Sequence, residues 1–272
     1  MNTLDIKRVV AENNRVYGTL VTSPSPLLVS HLKATGVDFV FIDTEHIPLG
    51  PETLASLCTA FNGEGIAPIV RIPSPDPYAA TRAIDFGARG IVAPYVETPE
   101  EVQCLRGAVK YRPLKGDRLE GFLFGGDKLE PELSDYLQEY NRRTLLFINI
   151  ESEPACRNLE ALLDVPDLDG ILIGPHDLSC SIGLPEQYTS PSFTRALEHI
   201  VNNSRARKLI TGIHFSMCGD LSLASKWLDM GINMYIHQAD IFFASAGLCG
   251  ELRSIQEQLG EELRFFPPHV SF

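Results

Sequence analysis

The chain has 272 residues, 44% of them hydrophobic and 21% charged, with a formal net charge of −12 at pH 7, which excludes a disordered or fibrous protein and leaves room for one barrel-sized domain. It has no dense Lys/Arg cluster to hold phosphates, so nucleic acid is not an expected partner. Asp5, Lys7, Arg8, Glu12 and Arg15 stand where a leader would be apolar, and no run nears the ~18 apolar residues of a membrane span, so a cytoplasmic protein that makes no use of membranes is expected.

Leu4, Val9 and Val10 among charges predict a short leading helix over 3–14, and the first strand follows at about 17–21. Pro24 and Pro26 break the chain, 27–34 reads as helix, and Gly36 stands where a helix C′ glycine belongs. A second strand at 38–42 ends in Asp43-Thr44-Glu45-His46. Helix 51–61 leads to a third strand, 67–72, with Arg71 at its carboxyl end. Helix 78–86, strand 90–95 and helix 98–109 come next. The alternation then lapses over 111–143, a Gly-rich stretch followed by a charged helical run at 130–140. So long a connection between strands is usually a lid or a subunit contact.

Two apolar runs, 145–150 and 171–173, are then joined by a helical pattern of Ala155, Leu159, Leu162 and Leu163. Helix 192–205, strand 209–213, helix 221–228, strand 232–236 and a last helix at 251–259 complete the chain. Eight strands alternating with helices predict an α/β fold, a single (β/α)₈ TIM barrel spanning 1–272, with an N-terminal helix and a long β4–β5 connection. The tail, about 261–272, is apolar and carries Pro267-Pro268, so it is expected to dock on a neighbouring subunit rather than form helix. The six cysteines show no CxxC or zinc spacing and read as reduced thiols, Cys180 beside Asp177 included, which is expected to pack.

The polar groups fall at strand ends. Asp43 with His46, Arg71, Glu151, Asp177, His214 and Asp240 all lie at predicted carboxyl ends, the rim where barrel active sites form. Glu151 and Asp177 end two parallel strands of one βαβ unit and converge there, as two solvated loop acids or as ligands of a hard metal. As ligands they would leave positions to water and substrate, which suits Mg²⁺ or Mn²⁺ better than a zinc site of three His or Cys. Arg71 could clamp a carboxylate or meet an oxyanion, and His46 could act as general base with Asp43 orienting it. Each has an ordinary counterpart: a turn cap, a surface histidine, a structural ion pair. Gathered at one rim, they read as a site. No lysine ends a predicted strand on that rim, so a Schiff-base route is not expected.

Five motifs in order then resemble the metal-dependent class II pyruvate aldolases of the HpcH/HpaI aldolase family. They are Gly36-Val37-Asp38-Phe39 through Asp43-Thr44-Glu45-His46, Val70-Arg71-Ile72-Pro73, Asp85-Phe86-Gly87-Ala88 through Pro94-Tyr95-Val96-Glu97-Thr98, Ile150-Glu151-Ser152, and Asp169-Gly170 through Gly174-Pro175-His176-Asp177-Leu178-Ser179. The resemblance implies an aldehyde-lyase that reversibly cleaves a 4-hydroxy-2-oxo acid to pyruvate, or a related 2-oxo acid, plus an aldehyde through a metal-stabilised enolate. It implies that Glu151 and Asp177 hold the metal (Mg²⁺ or Mn²⁺, with Co²⁺ and Zn²⁺ left open) and that Arg71 faces the enolate oxygen. His46, paired with Asp43, would assist proton transfer. Gly174, Pro175, His176 and Asp177 would bind the substrate carboxylate, and His214 would line the pocket. Asp85 would reach a neighbouring subunit's site in a homo-oligomer, a hexamer in that family. The chain departs from the family pattern at Arg112 through Leu119, at His176, at His214, where an aliphatic residue is common, and at 234–240. These departures bear on the aldehyde partner. Two alternatives are citryl- or malyl-CoA cleavage, and a 2-oxo-acid-binding barrel without turnover.

Overall fold

A computed structural model describes residues 3–215 and 221–262. After α1 (Thr3–Ala11) the order is β1 (Val16–Val21), α2 (Leu27–Thr35), β2 (Phe39–Asp43), α3 (Pro51–Gly63), β3 (Ala67–Arg71), α4 (Pro77–Asp85), β4 (Gly90–Ala93) and α5 (Pro99–Lys110). Helices α6 (Gly116–Phe124) and α7 (Pro131–Asn141) occupy the long connection to β5 (Leu145–Ile150). There follow α8 (Glu153–Arg157), α9 (Leu159–Leu163), β6 (Gly170–Ile173), α10 (Pro175–Ser181), α11 (Pro191–Ala206), β7 (Ile210–Phe215), α12 (Leu221–Asp229), β8 (Met234–Ala239) and α13 (Asp240–Leu259). The strands described run parallel in sequence order, and β1 pairs with both β2 and β8, so the sheet closes into the expected (β/α)₈ barrel.

Side chains alternate between two cores. Val40, Ile42, Val70, Ile91, Ile148, Ile171 and Ile213 face outward and pack against the helices. Phe39, Phe41, Ile69, Phe147, Leu172 and Ile236 face inward and fill the barrel. The bulky inward residues need gaps opposite them: a Cβ on Gly18 would stand 2.6 Å from the Phe39 ring, and one on Gly90 2.6 Å from Ile69. Above these layers the next inward positions are polar, and they form the site.

Local chemistry accounts for most helix ends. Thr98 and Glu101 form a capping box at α5, with Pro99 in its first turn, and Gly36 closes α2 in the left-handed region. The differences from expectation also have physical causes. Helix α6 forms in the Gly-rich stretch because Gly107 of α5 lets Leu119 and Leu123 approach closely. The single helix expected between β5 and β6 is two short ones meeting at Asn158. Helix α10 was not expected; Pro175 at its first position needs no N–H partner there. Helix α13 starts at Asp240, eleven residues before the expected 251, and runs through Gly247 and Gly250. Of its twenty residues only Asp240 and Phe242 are buried, while Ile241, Phe243, Leu248, Ile255 and Leu259 are exposed. The tail expected to dock lies mostly outside the described residues, and no described helix is long and apolar enough to cross a membrane.

Candidate active site

Parallel register sets Asp43 of β2 beside Arg71 of β3. Arg71 Nε and Nη2 donate to Asp43 Oδ1 and Oδ2 at 2.8 and 2.7 Å, a two-pronged pair, and Nη1 lies 3.0 Å from Glu45 Oε2. Burial pushes the Asp43 carboxyl up, but the Arg71 hydrogen bonds and charge outweigh it and hold the group below its usual range. Burial likewise opposes the Arg71 charge, and Asp43 overcomes that, so the guanidinium stays protonated. Asp43 also accepts from the main-chain N–H of Glu45 and, at 3.4 Å, of His46. The expected pairing of Asp43 with the His46 ring is therefore corrected: Asp43 is saturated by Arg71 and main chain. The carboxylate near the imidazole is Glu45, whose Oε2 lies 3.7 Å from His46 Nε2. Burial, partly offset by Arg71, raises the Glu45 pKa to about 6. The His46 side chain is 54% exposed and reaches solvent.

Across the barrel, Asn149 of β5 and Glu151 just after its end lie two residues apart and side by side, Asn149 donating to Glu151. Glu151 accepts from Tyr95 N–H at 2.8 Å and from Asn149 Nδ2 at 2.7 Å. Burial and the nearby Asp177 charge still raise its pKa to about 7. Gly174, just after β6, makes the approach of the two acids feasible. A Cβ there would fall 2.7 Å from Glu151 Oε2 and 3.7 Å from Asp177 Oδ2, so any side chain would push into the acid pair. Two carboxylates, one buried and held above its usual range beside the other, form an arrangement that a divalent cation relieves. Among the described residues no group of three His, Cys, Asp or Glu could cage a metal. The donor set thus fits an ion that keeps water and substrate oxygens in its shell. At the start of α10, His176 and Asp177 follow Pro175 with no side-chain cap, so their first-turn N–H groups have no partner within the helix.

The third wall comes from β7 and β8. The strand pairing that sets Ile173 beside Ile213 brings His214 level with Gly174. Its ring packs against Phe41 at 5.8 Å. One ring nitrogen bonds to the Gln238 main chain, and the other, Nε2, is buried without a partner among the described residues. Burial, with the Arg71 charge, lowers the His214 pKa to about 4, so the ring is neutral. A bulge explains the bond: the β1–β8 register shifts between Gly18 and Leu20, and Gln238 takes a φ of 48°. The resulting cavity, about 460 Å³, is lined by residues of all three walls, among them Asp43, His46, Arg71, Asp177 and His214.

A family model, HpcH/HpaI aldolase/citrate lyase, matches residues 17–231. The chain belongs to that family. It is thereby an enzyme of the aldolase/lyase class. It is 26% identical over 244 residues to the 5-keto-4-deoxy-D-glucarate aldolase of Escherichia coli (strain K12), covering 88% of this chain and 89% of that one. Among solved structures it is similar to the citrate synthase SbnG, at 29% identity and TM-score 0.78, covering 94% of this chain and 98% of that one. The HpcH/HpaI aldolase from Desulfitobacterium hafniense DCB-2 shares the fold at TM-score 0.78 and 22% identity, over 97% of this chain and 98% of that one.

Of the expected site residues of this HpcH/HpaI chain, Asp43, His46, Arg71, Gly174, Pro175, His176, Asp177 and His214 line one cavity, and Glu151 borders it across Gly174. Asp85 does not join them: it ends α4, at the opposite rim, and is ion-paired with Arg112. Asp240, expected among the rim acids, is tied up elsewhere, accepting from Thr22 and Ser23 N–H at 3.0 and 2.9 Å and so binding β1 to the start of α13. Cys180 is exposed rather than packed. Glu45, Asn149 and the Gln238 main chain were missed. Asn149 could have been found, since in a strand the residue two before a functional one faces the same way.

Proposed function

We propose that this chain reversibly cleaves a 4-hydroxy-2-oxo acid to pyruvate, or a related 2-oxo acid, and an aldehyde, with a divalent ion held by Glu151 and Asp177. The observation that carries this reading is the convergence of two carboxylates over Gly174, in the same cavity as a guanidinium immobilised by Asp43. When bound, Mg²⁺ or Mn²⁺ supplies a Lewis acid for the 2-oxo group. Cleavage removes the proton from the C4 hydroxyl and breaks the C3–C4 bond. The electron pair goes to the pyruvate half as an enolate, C4 leaves as the aldehyde carbon, and C3 then takes up a proton. Arg71, always charged and fixed in position, opposes the negative charge that grows on the enolate oxygen without having to reorganise. The uncapped N–H groups of His176 and Asp177 receive the substrate carboxylate. His46 exchanges protons with solvent from its exposed position, with Glu45 holding its ring from the buried side.

Acyl-CoA cleavage is less favoured, because CoA phosphates need cations and Arg71 is the only lysine or arginine among the described residues lining the cavity. The exposed apolar residues of α13 and the placement of Asp85 on the far rim support a homo-oligomer in which Asp85 serves a neighbouring subunit's site. The test follows the methyl protons of pyruvate by NMR in D₂O with enzyme plus Mg²⁺ or Mn²⁺. Metal-dependent loss of the methyl signal, abolished by a chelator and slowed in His46→Ala, is expected. Pyruvate that binds without exchange under any metal would overturn the proposal.

A further inference from the structure

The cavity is chemically lopsided. Around His214 of β7 the surface is mostly apolar, with Leu20, Phe41, Ala239 and Phe242, and Gln238 of β8 as its one amide among the described residues. Among the described residues, His214 Nε2 and Asn149 Oδ1, buried atoms of lining residues, have no hydrogen-bond partner. Both are hydrogen-bond acceptors. Asn149 spends its amide N–H on Glu151, which leaves the carbonyl oxygen over. His214 bonds through its other nitrogen to the main chain of Gln238, so as a neutral ring that donates to this carbonyl it keeps a bare lone pair at Nε2, enclosed in the cavity wall. Among the described residues no lining lysine or uncommitted arginine balances these acceptors. Arg71 is engaged by Asp43 and Glu45, and residues 216–220, which follow β7, are Ser-Met-Cys-Gly-Asp, without lysine, arginine or histidine. His46 and His176 stand at the exposed mouth, each 3.7 Å from a glutamate.

The geometry points to His214 as the residue that selects the aldehyde: the site takes an uncharged aldehyde bearing a hydroxyl group, whose O–H donates to His214 Nε2. This inference rests on the aldol reading above and narrows it. A hydroxyl satisfies a buried acceptor that otherwise stays unpaired, and sites built this way discriminate strongly against the analogue lacking the hydroxyl. A carboxylate at the same place sets its own lone pairs against the imidazole lone pair and the Asn149 carbonyl, and finds no free cation among the described residues. The apolar surroundings accept the carbon chain that carries the hydroxyl.

The experiment measures kcat/KM for condensation of pyruvate with glycolaldehyde, acetaldehyde and glyoxylate, three aldehydes of similar size that differ in hydroxyl and charge. Wild-type enzyme with Mg²⁺ is compared with His214→Leu and His214→Gln, and the methyl exchange of pyruvate is run alongside on wild-type enzyme. The glycolaldehyde-to-acetaldehyde ratio is expected to fall at least about tenfold from wild type to His214→Leu, and to recover part of that in His214→Gln, which keeps a neutral acceptor. Wild-type enzyme is expected to use glycolaldehyde better than glyoxylate, a comparison that depends on no variant folding. An unchanged ratio in His214→Leu, or a wild-type preference for glyoxylate, overturns the inference. Methyl exchange without any hydroxyl preference overturns this inference alone; absence of exchange overturns the aldol reading and this inference with it.

Discussion

The two halves of the cavity are built on opposite principles. On the β2–β3 and β5–β6 side the charges are set against one another: Arg71 is answered by Asp43 and Glu45, while Glu151 accepts from Tyr95 N–H and Asn149 and keeps the like charge of Asp177 beside it, which a cation relieves. On the β7–β8 side a neutral histidine sits among mostly apolar groups, with one nitrogen unanswered among the described residues. The Arg71 cluster is over-determined, because removing Asp43 or Arg71 leaves a buried ion without its partner. The apolar half leaves one bond unmade. Chemistry common to every substrate belongs in the first half, and discrimination between substrates belongs in the second.

The most severe way to break this comparison is to take away an acid. Glu151→Gln is expected to lower metal-dependent pyruvate exchange about a thousandfold and to weaken Mn²⁺ binding measured by calorimetry, because the isosteric amide keeps the packing and loses the charge. Full exchange with unaltered Mn²⁺ affinity would show that the pair over Gly174 is merely structural. Arg71→Lys comes next, with a loss of roughly a hundredfold in kcat. An ammonium keeps the charge but cannot grip both oxygens of Asp43, so the cation loses its fixed aim. If the lysine enzyme keeps its kcat, charge alone suffices and the two-pronged pair has no catalytic purpose.

The pH response sharpens the comparison from the other half. His214 has a folded pKa of about 4, below the ordinary histidine value. Between about pH 6.5 and 4 the unfolded chain binds a proton there that the folded chain does not, so stability falls as pH drops across that window. The loss reaches on the order of 3 kcal/mol below pH 4. Urea denaturation at pH 7 and pH 4.5 is expected to show a smaller acid loss in His214→Leu than in wild type. Equal losses would mean that His214 titrates normally in the folded enzyme.

The barrel was legible in the sequence because each strand is a short apolar run closed by a turn signal, and the acids at 151 and 177 were legible because each ends such a run. What depends on neighbouring strands was not. Asp43 was read with His46, three residues away in sequence, whereas β2–β3 register gives it to Arg71, 28 residues away. Glu45 stands in a polar run that gives no sign of enclosure, and the ion pair with Arg71, from a different strand, draws its side chain in. His214 was placed in the pocket, but its tautomer depends on a bulge at Gln238 whose positive φ no residue type announces. The early start of α13 was hidden by Gly247 and Gly250, which punctuate a helix the backbone nevertheless completes.

Two smaller substitutions test how far the charged half extends. Gly174→Ala places a methyl 2.7 Å from Glu151 Oε2, so the carboxylate must move and Mn²⁺ affinity is expected to drop about tenfold with the fold retained. Asp240→Asn should do least of all to catalysis. Asp240 shares the rim with the site acids, yet its oxygens are spent on Thr22, Ser23 and Ile241 N–H, and it stands outside the cavity lining. The amide retains one acceptor oxygen of two, so the expected cost is about 1–2 kcal/mol of stability in urea denaturation. Pyruvate exchange per folded molecule should stay within about twofold, since the lost bond is one between two strand ends and not one to the reacting atoms. A larger fall in exchange at unchanged Mn²⁺ affinity would extend the charged half round to β8 and contradict the division drawn from the cavity.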